Sequence, residues 1–285
     1  MKIHRFNLIA SAIICAVVSS LTVRALRQLW IIPVSFIGAL AVMFLVSWFG
    51  IAVVSLTINF KKTYDAPSKF YSKFFNMAYD YLYTLAGVRV EVSGLELVPD
   101  DRPFIIVSNH RSNFDNMIES NVLKKYPIAY ISKPANFKIP MGRRFMKRCC
   151  YLSISRESPL QALKTVNQAI DLIKSGVTSI GIYPEGHRSK SREMGEFKLG
   201  YIRIAANAGC PIVVSTITGT EKIHKRFPFR TTKVHFSILG VVEPEEIQSS
   251  KPKELSDKIR NMMEENLIEQ GEIKDDARTL QFCIG

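Results

Sequence analysis

The first 62 residues contain no acidic side chain and hold two long uncharged runs, Phe6 to Val23 and Gln28 to Phe60. Lys2 and Arg5 precede the first run, Arg24 and Arg27 separate the two, and Lys61 and Lys62 close the second. A bilayer crossing takes roughly 20 apolar residues at about 1.5 Å of helical rise each. The first run barely reaches that length and the second exceeds it, with Pro33 and Gly50 as available kink points. A signal peptide would account for the first run and leave the longer second one unexplained. Cations at all three ends fit two simple crossings poorly. A hydrophobic helical hairpin entering from one face of the membrane fits them better. Residues 1–62 are therefore expected to be membrane-embedding helices, whether they span or lie within one leaflet.

Beyond residue 62 the pattern changes. Phe70, Phe74, Met77, Tyr81 and Leu85 recur at three- and four-residue steps, which predicts an amphipathic linker helix within 63–86. From Gly87 the chain alternates. Strands are predicted at Val88 to Val92, Phe104 to Val107, Ile128 to Ser132, Tyr151 to Ile154, Val177 to Tyr183, Ile212 to Ile217 and Val234 to Val241. Helices are predicted after Asn113, along Leu160 to Ile173, from Leu199 to Asn207, and along Lys253 to Ile268. The expected fold over 87–285 is α/β, a mixed sheet flanked by helices on both faces, ending in a C-terminal helix.

The five cysteines show no CxxC and no framework spacing, so free thiols in a reducing compartment are expected. Cys149 and Cys150 should point to opposite faces of a strand. A formal charge of +13 calls for an anionic partner: nucleic acid, a phospholipid surface or a phosphorylated substrate. No RNP-like block, zinc pattern or recognition-helix signature supports a nucleic acid. Between Lys124 and Arg148 eight cations mix with Phe137, Ile139, Met141, Phe145 and Met146. That mixture suits an anionic membrane surface, or equally an acidic carrier protein.

Two segments carry chemistry, each at a predicted strand end. In Ser108-Asn109-His110-Arg111-Ser112-Asn113-Phe114-Asp115, a strand-to-helix turn capped by Ser112 or Asn113 brings Asp115 back toward His110. A carboxylate on Nδ1–H leaves Nε2 free as a general base. The remaining histidines show no metal-ligand spacing. In Tyr183-Pro184-Glu185-Gly186-His187-Arg188-Ser189, glycine permits close approach of a ligand and Arg188 offers a planar fork suited to phosphate. Phe197-Lys198-Leu199-Gly200 then opens a helix whose amides, with Lys198, suit an anion.

Together these segments resemble the 1-acyl-glycerol-3-phosphate acyltransferases, the PlsC-like lysophospholipid acyltransferase family. Asn109, His110 and Asp115 match its NHxxxxD block, and Tyr183 to Ser189 its (F/Y)PEGxRS block. Cys150 to Arg156 and Pro211 to Val214 match the intervening and fourth blocks in order and spacing. The resemblance implies that His110 deprotonates the acceptor hydroxyl and that Asp115 orients it. Arg156, Glu185, Gly186, His187, Arg188 and Lys198 would bind the substrate. Lysophosphatidic acid is the implied acceptor and acyl carrier protein or coenzyme A the thioester carrier, with no cofactor or metal. The catalytic domain is expected on the cytoplasmic side of a membrane. Two departures stand out: His187 replaces the family's threonine, and Cys150 and Ser155 replace its glycine and aspartate. Transfer to another lysophospholipid, or remodelling between phospholipids, is the alternative. A serine hydrolase lacks its GxSxG elbow here, and an inert lipid binder does not explain the intact His110 and Asp115.

Overall fold

The computed structural model describes residues 3–23, 28–155, 158–189, 193–227 and 230–273. Seven strands are found among them: β1 (Val88–Ser93), β2 (Ile105–Ser108), β3 (Ile128–Ser132), β4 (Leu152–Ser153), β5 (Ser179–Ile182), β6 (Ile212–Thr218) and β7 (Thr232–Val242). They form one sheet in the order β1-β7-β6-β2-β5-β3-β4. Every pairing is parallel except β6 with β7, which is antiparallel and carries a register shift at Val214/Ser215. The sheet is therefore mixed.

Parallel neighbours require crossovers, and these bring the helices. From β2 the chain passes through α4 (Phe114–Val122) to β3, skipping the place later filled by β5. From β4 it returns through α6 (Pro159–Lys174) to β5, and through α7 (Gly200–Ala208) to β6. Right-handed crossovers running in opposite directions put α4 on one face and α6 with α7 on the other. The amphipathic helix α3 (Lys69–Leu85) packs beside α4, and the final helix α10 (Pro252–Glu269) packs against β6 and α7. The central strands are covered on both sides. Ile105, Ile106 and Val107 of β2 and Ile212, Val213 and Val214 of β6 are all fully buried.

Helices α1 (Ile3–Thr22) and α2 (Ile31–Leu56) pack on each other at the N-terminus. Each is long and apolar enough to cross a membrane, and only 17% and 11% of their most apolar stretches are buried. Ile13, Leu21, Ile37, Leu45 and Phe49 face outward. Where the hairpin meets the domain the contacts become polar. Asn7 of α1 donates to Ser47 Oγ at 2.8 Å and to Tyr81 Oη of α3 at 3.1 Å.

The segment before β4 departs from the sequence reading. Gly142–Arg148 is a helix, α5, and Cys149 closes it. Cys150 has φ +57, so the two thiols lie in a helix-exit turn and not on opposite faces of a strand. Both are buried, and burial pushes Cys149 up to about 12 and Cys150 up to about 11, which keeps them protonated and unreactive. Helix α5 also redirects part of the basic run inward. Arg144 donates to the Ile58 carbonyl at 3.1 Å and Arg148 to the Ala66 carbonyl at 2.9 Å. Lys147 donates to the Phe60 carbonyl, and Arg143, Lys147 and Arg148 lie over the rings of Phe60 and Tyr64. These cations tie the end of the hairpin to the domain, leaving Lys124, Lys133 and Lys138 exposed. Two short helices, α8 (Ile223–Arg226) and α9 (Pro244–Ser249), are also additions to the sequence reading.

At one glycine the ring of its cross-strand partner leaves no room for a side chain. A Cβ on Gly181 of β5 would stand 2.4 Å from the ring of Tyr130, which is 1% exposed. Gly181→Ala is expected to destabilise the protein by about 1–3 kcal/mol through overpacking. Denaturant titration of the detergent-solubilised chain measures this, and an unchanged midpoint would show that Tyr130 has room to move.

Candidate active site

Strand β2 ends at Ser108, and Asn109 fixes the turn beyond it. Its side-chain Nδ2 donates to the Ile217 carbonyl at 2.9 Å, while Ile217 N donates back to Oδ1 at 2.8 Å. The amide thus occupies the place of a paired strand residue and locks the turn to β6. The chain then bends sharply into α4. Asn113, the residue before that helix, makes no side-chain cap, although Ser112 Oγ accepts from Phe114 N at 3.3 Å. Asp115 does the capping work, since its Oδ2 accepts from Arg111 N and Ser112 N, both at 2.7 Å.

The same oxygen lies 2.8 Å from His110 Nδ1. An oxygen that accepts from two backbone amides accepts from the ring as well, so Nδ1 carries the hydrogen and Nε2 is the free ring nitrogen. Thr220 Oγ1 donates to the other oxygen, Oδ1, at 2.5 Å. Asp115 is fully buried, whereas the His110 side chain keeps 21% of its surface exposed. The imidazole stacks on the Tyr183 ring, with centroids 4.3 Å apart. One edge is held and the other faces outward.

The second segment comes from the end of β5 and is bonded to the first. Glu185, 1% exposed, accepts from His110 N through Oε1 and from Gly195 N through Oε2, each at 2.9 Å. Ser189 N donates to the His110 carbonyl at 2.8 Å. Both oxygens of Glu185 accept from backbone amides, so it braces the two segments against each other. Gly186 adopts φ +70, which lets the loop turn back, and His187 Nδ1–H donates to the Glu185 carbonyl at 2.9 Å. Arg188 and Lys198 are exposed, and the Lys198 amide holds the Pro184 carbonyl at 2.8 Å. Lys198 Cγ lies 4.0 Å from where a Gly186 Cβ would stand, so these residues share one rim. Arg156 lies outside the described residues.

Two further buried groups escaped the sequence reading. Thr220 is one; its only sequence signal is the Gly219-Thr220 pair directly after β6. The other is Glu119 of α4, 1% exposed, whose Oε2 accepts from Ser108 Oγ at 2.6 Å. Burial pushes its carboxyl up to about 7; the Ser108 bond opposes this and the Asp115 charge reinforces it. On the outer side, Arg111 and Lys222 grip the Glu272 carboxylate at 3.1 and 2.8 Å, bringing the chain after α10 against the same turn. Among the described residues no cluster of three His, Cys, Asp or Glu side chains is arranged to hold a metal.

This arrangement, with both motif segments at the strand ends of a mixed sheet, defines a class. Residues 89–218 match the family model described as acyltransferase. The chain is similar to a chloroplastic 1-acyl-sn-glycerol-3-phosphate acyltransferase of Brassica napus, at 32% identity over 63% of this chain and 51% of that protein. It is similar to a probable enzyme of the same name from Mycoplasma pneumoniae, at 29% identity over 65% of this chain and 71% of that one. The chain thus spans about half the length of the plant relative. Among solved structures it resembles the 1-acyl-sn-glycerophosphate acyltransferase PlsC of Thermotoga maritima, with TM-score 0.57, 28% identity, and 73% and 81% of the two chains covered.

Glu119 makes stability depend on pH. Its folded carboxyl binds a proton that the unfolded chain releases, so stability is greatest below the ordinary carboxylate range. It is lost as pH rises toward about 7. The slope is roughly 1.4 kcal/mol per pH unit within that window. Glu119→Gln should remove this component, so its unfolding free energy should fall less than that of the wild type between about pH 5 and about 7. Parallel curves for the two proteins would place Glu119 among ordinary carboxylates.

Proposed function

We propose that this chain is a membrane-bound acyltransferase that moves an acyl group from a thioester to the sn-2 hydroxyl of lysophosphatidic acid, giving phosphatidic acid. The observation that carries the reading is the His110–Asp115 pair, its Nε2 open, bonded through Glu185 to the basic loop. Nε2 takes the proton of the acceptor hydroxyl as its oxygen attacks the thioester carbonyl. The tetrahedral intermediate then collapses, the C–S bond breaks, and the imidazolium returns its proton to the departing sulfur. Asp115 stabilises that imidazolium, as the carboxylate of a catalytic triad does. The thioester is already activated, so no protein nucleophile enters.

Arg188, with Lys198 and the Gly186 turn, supplies an exposed cationic rim near the base, suited to the glycerol phosphate. Arg156 completes that set on sequence grounds. The thioester carrier is acyl carrier protein or coenzyme A. The two apolar helices support membrane attachment, with the catalytic domain on the cytoplasmic side and the exposed lysines toward anionic lipid. His187, an exposed ring where relatives of this kind carry a hydroxyl, favours a second reading in which another lysophospholipid is the acceptor.

His110→Ala should lower kcat by about 10²- to 10⁴-fold while the protein stays folded and sediments with membranes. Activity within a few-fold of wild type would remove His110 from the mechanism. Arg188→Ala separates the acceptor readings. It should reduce kcat/KM for lysophosphatidic acid by roughly ten- to a hundredfold, with lysine rescuing only in part. Equal losses on an acceptor lacking the phosphate monoester would transfer the assignment to another lysolipid.

A further inference from the structure

Asp115 has two oxygens with unequal surroundings. Oδ2 accepts from three N–H groups, those of His110 Nδ1, Arg111 and Ser112. These three donors lie within the same short turn and hold one oxygen, which leaves Oδ1 to set the rotation of the carboxylate plane. Oδ1 has one donor, and it comes from elsewhere: the Thr220 hydroxyl, 105 positions along the chain. A carboxylate can only accept, so the threonine oxygen donates.

The chain goes to some length to bring that hydroxyl there. Thr220 is fully buried and follows Gly219, whose φ is +85. A Cβ on Gly219 would stand 2.4 Å from the Lys233 carbonyl oxygen, so glycine alone passes beneath β7 at this point. The incoming strand is fixed by the Asn109–Ile217 pair. The outgoing turn is fixed by Lys222 on Glu272, which also holds Arg111. Thr220 is thus clamped on both sides relative to the His110 turn.

We propose that Thr220 is a positioning residue for acyl transfer, holding the Asp115 carboxylate in the plane that keeps His110 Nε2 aimed at the acceptor hydroxyl. The proposal rests on the reading of His110 as general base. With no exposed surface at Thr220 or Asp115, water cannot replace the lost donor, and a buried oxygen left short of a partner reorients. The fourth motif block then has a chemical role, because β6 delivers the hydroxyl that completes the pair.

Thr220→Val removes the hydroxyl and keeps the branched shape. It should lower kcat by about ten- to a hundredfold, the scale of one buried hydrogen bond to a charged group, with the KM for acceptor and thioester little changed. Thr220→Ser, which keeps the donor, should recover most of the loss. In an Asp115→Asn background, Thr220→Val should add far less than it does alone, since it acts through the carboxylate. If the valine variant does not fold, Thr220→Ala takes its place in the same comparisons. Wild-type kcat in the valine or alanine variant overturns the proposal. A serine variant as impaired as valine also overturns it, because the methyl would then be what matters. An active His110→Ala enzyme removes the general-base reading itself. An inactive His110→Ala beside a fully active Thr220→Val removes only Thr220.

Discussion

The site is organised around one buried carboxylate. Asp115 has no exposed surface and is held by four donors, three from its own turn and one from the turn after β6. A carboxylate so deep in protein survives as an anion only when its lone pairs are matched. That requirement dictates the local backbone. It draws the Arg111 and Ser112 amides together, caps α4 and sets the edge of the imidazole that faces inward. Glu185 repeats the device one layer out, its two oxygens holding the His110 amide and the Gly195 amide. Two buried acids, Glu185 satisfied by main-chain donors and Asp115 by main-chain and side-chain donors together, weld three loops that are distant in sequence.

The sheet explains why those loops meet. β2, β5 and β6 are adjacent and parallel, so their C-terminal ends lie on one edge. In open α/β sheets ligands bind outside the carboxyl ends of the strands, where helices leave for opposite faces. Here α4 leaves β2 for one face, and α7 follows β5 on the other. The strand ends between them carry His110 on one strand and the Glu185 loop on the next. The antiparallel β7 contributes differently. It links β6 to the edge strand β1 and sets the narrow passage at Gly219, directly before Thr220.

Legibility in the sequence depended on the range of each contact. Strands such as Ile105–Ser108 and Ile212–Thr218 are short apolar runs, and the stripe on α6 has helical spacing, so local pattern suffices for them. The HxxxxD spacing allowed His110 and Asp115 to meet, because the contact is made within one turn. Long-range contacts left no such trace. Nothing in Asn109 announces that it pairs with Ile217, and nothing in Glu185 announces that its two oxygens take the His110 and Gly195 amides. Glu119 looks like an ordinary surface residue of a short helix until the sheet buries it. Cys149 and Cys150 were misjudged for a local reason: the positive φ of Cys150 ends α5, and non-glycine residues rarely give notice of that conformation.

The same distinction applies to charge. A composition of +13 says that cations exceed anions, not where they point. Among the basic residues before β4, Arg144, Lys147 and Arg148 turn inward to carbonyls of Ile58, Phe60 and Ala66, in the chain just beyond α2. Main-chain carbonyls there take up the donors of these cations, so the joint is polar. It holds an apolar hairpin, whose sides are exposed, in fixed relation to a domain whose base sits in a buried polar network. On the α1 side of the same joint Asn7 reaches Ser47 and Tyr81, so both helices of the hairpin are tied to the domain by hydrogen bonds. Directional bonds to α3 and to the carbonyls beyond α2 are what a rigid connection there requires.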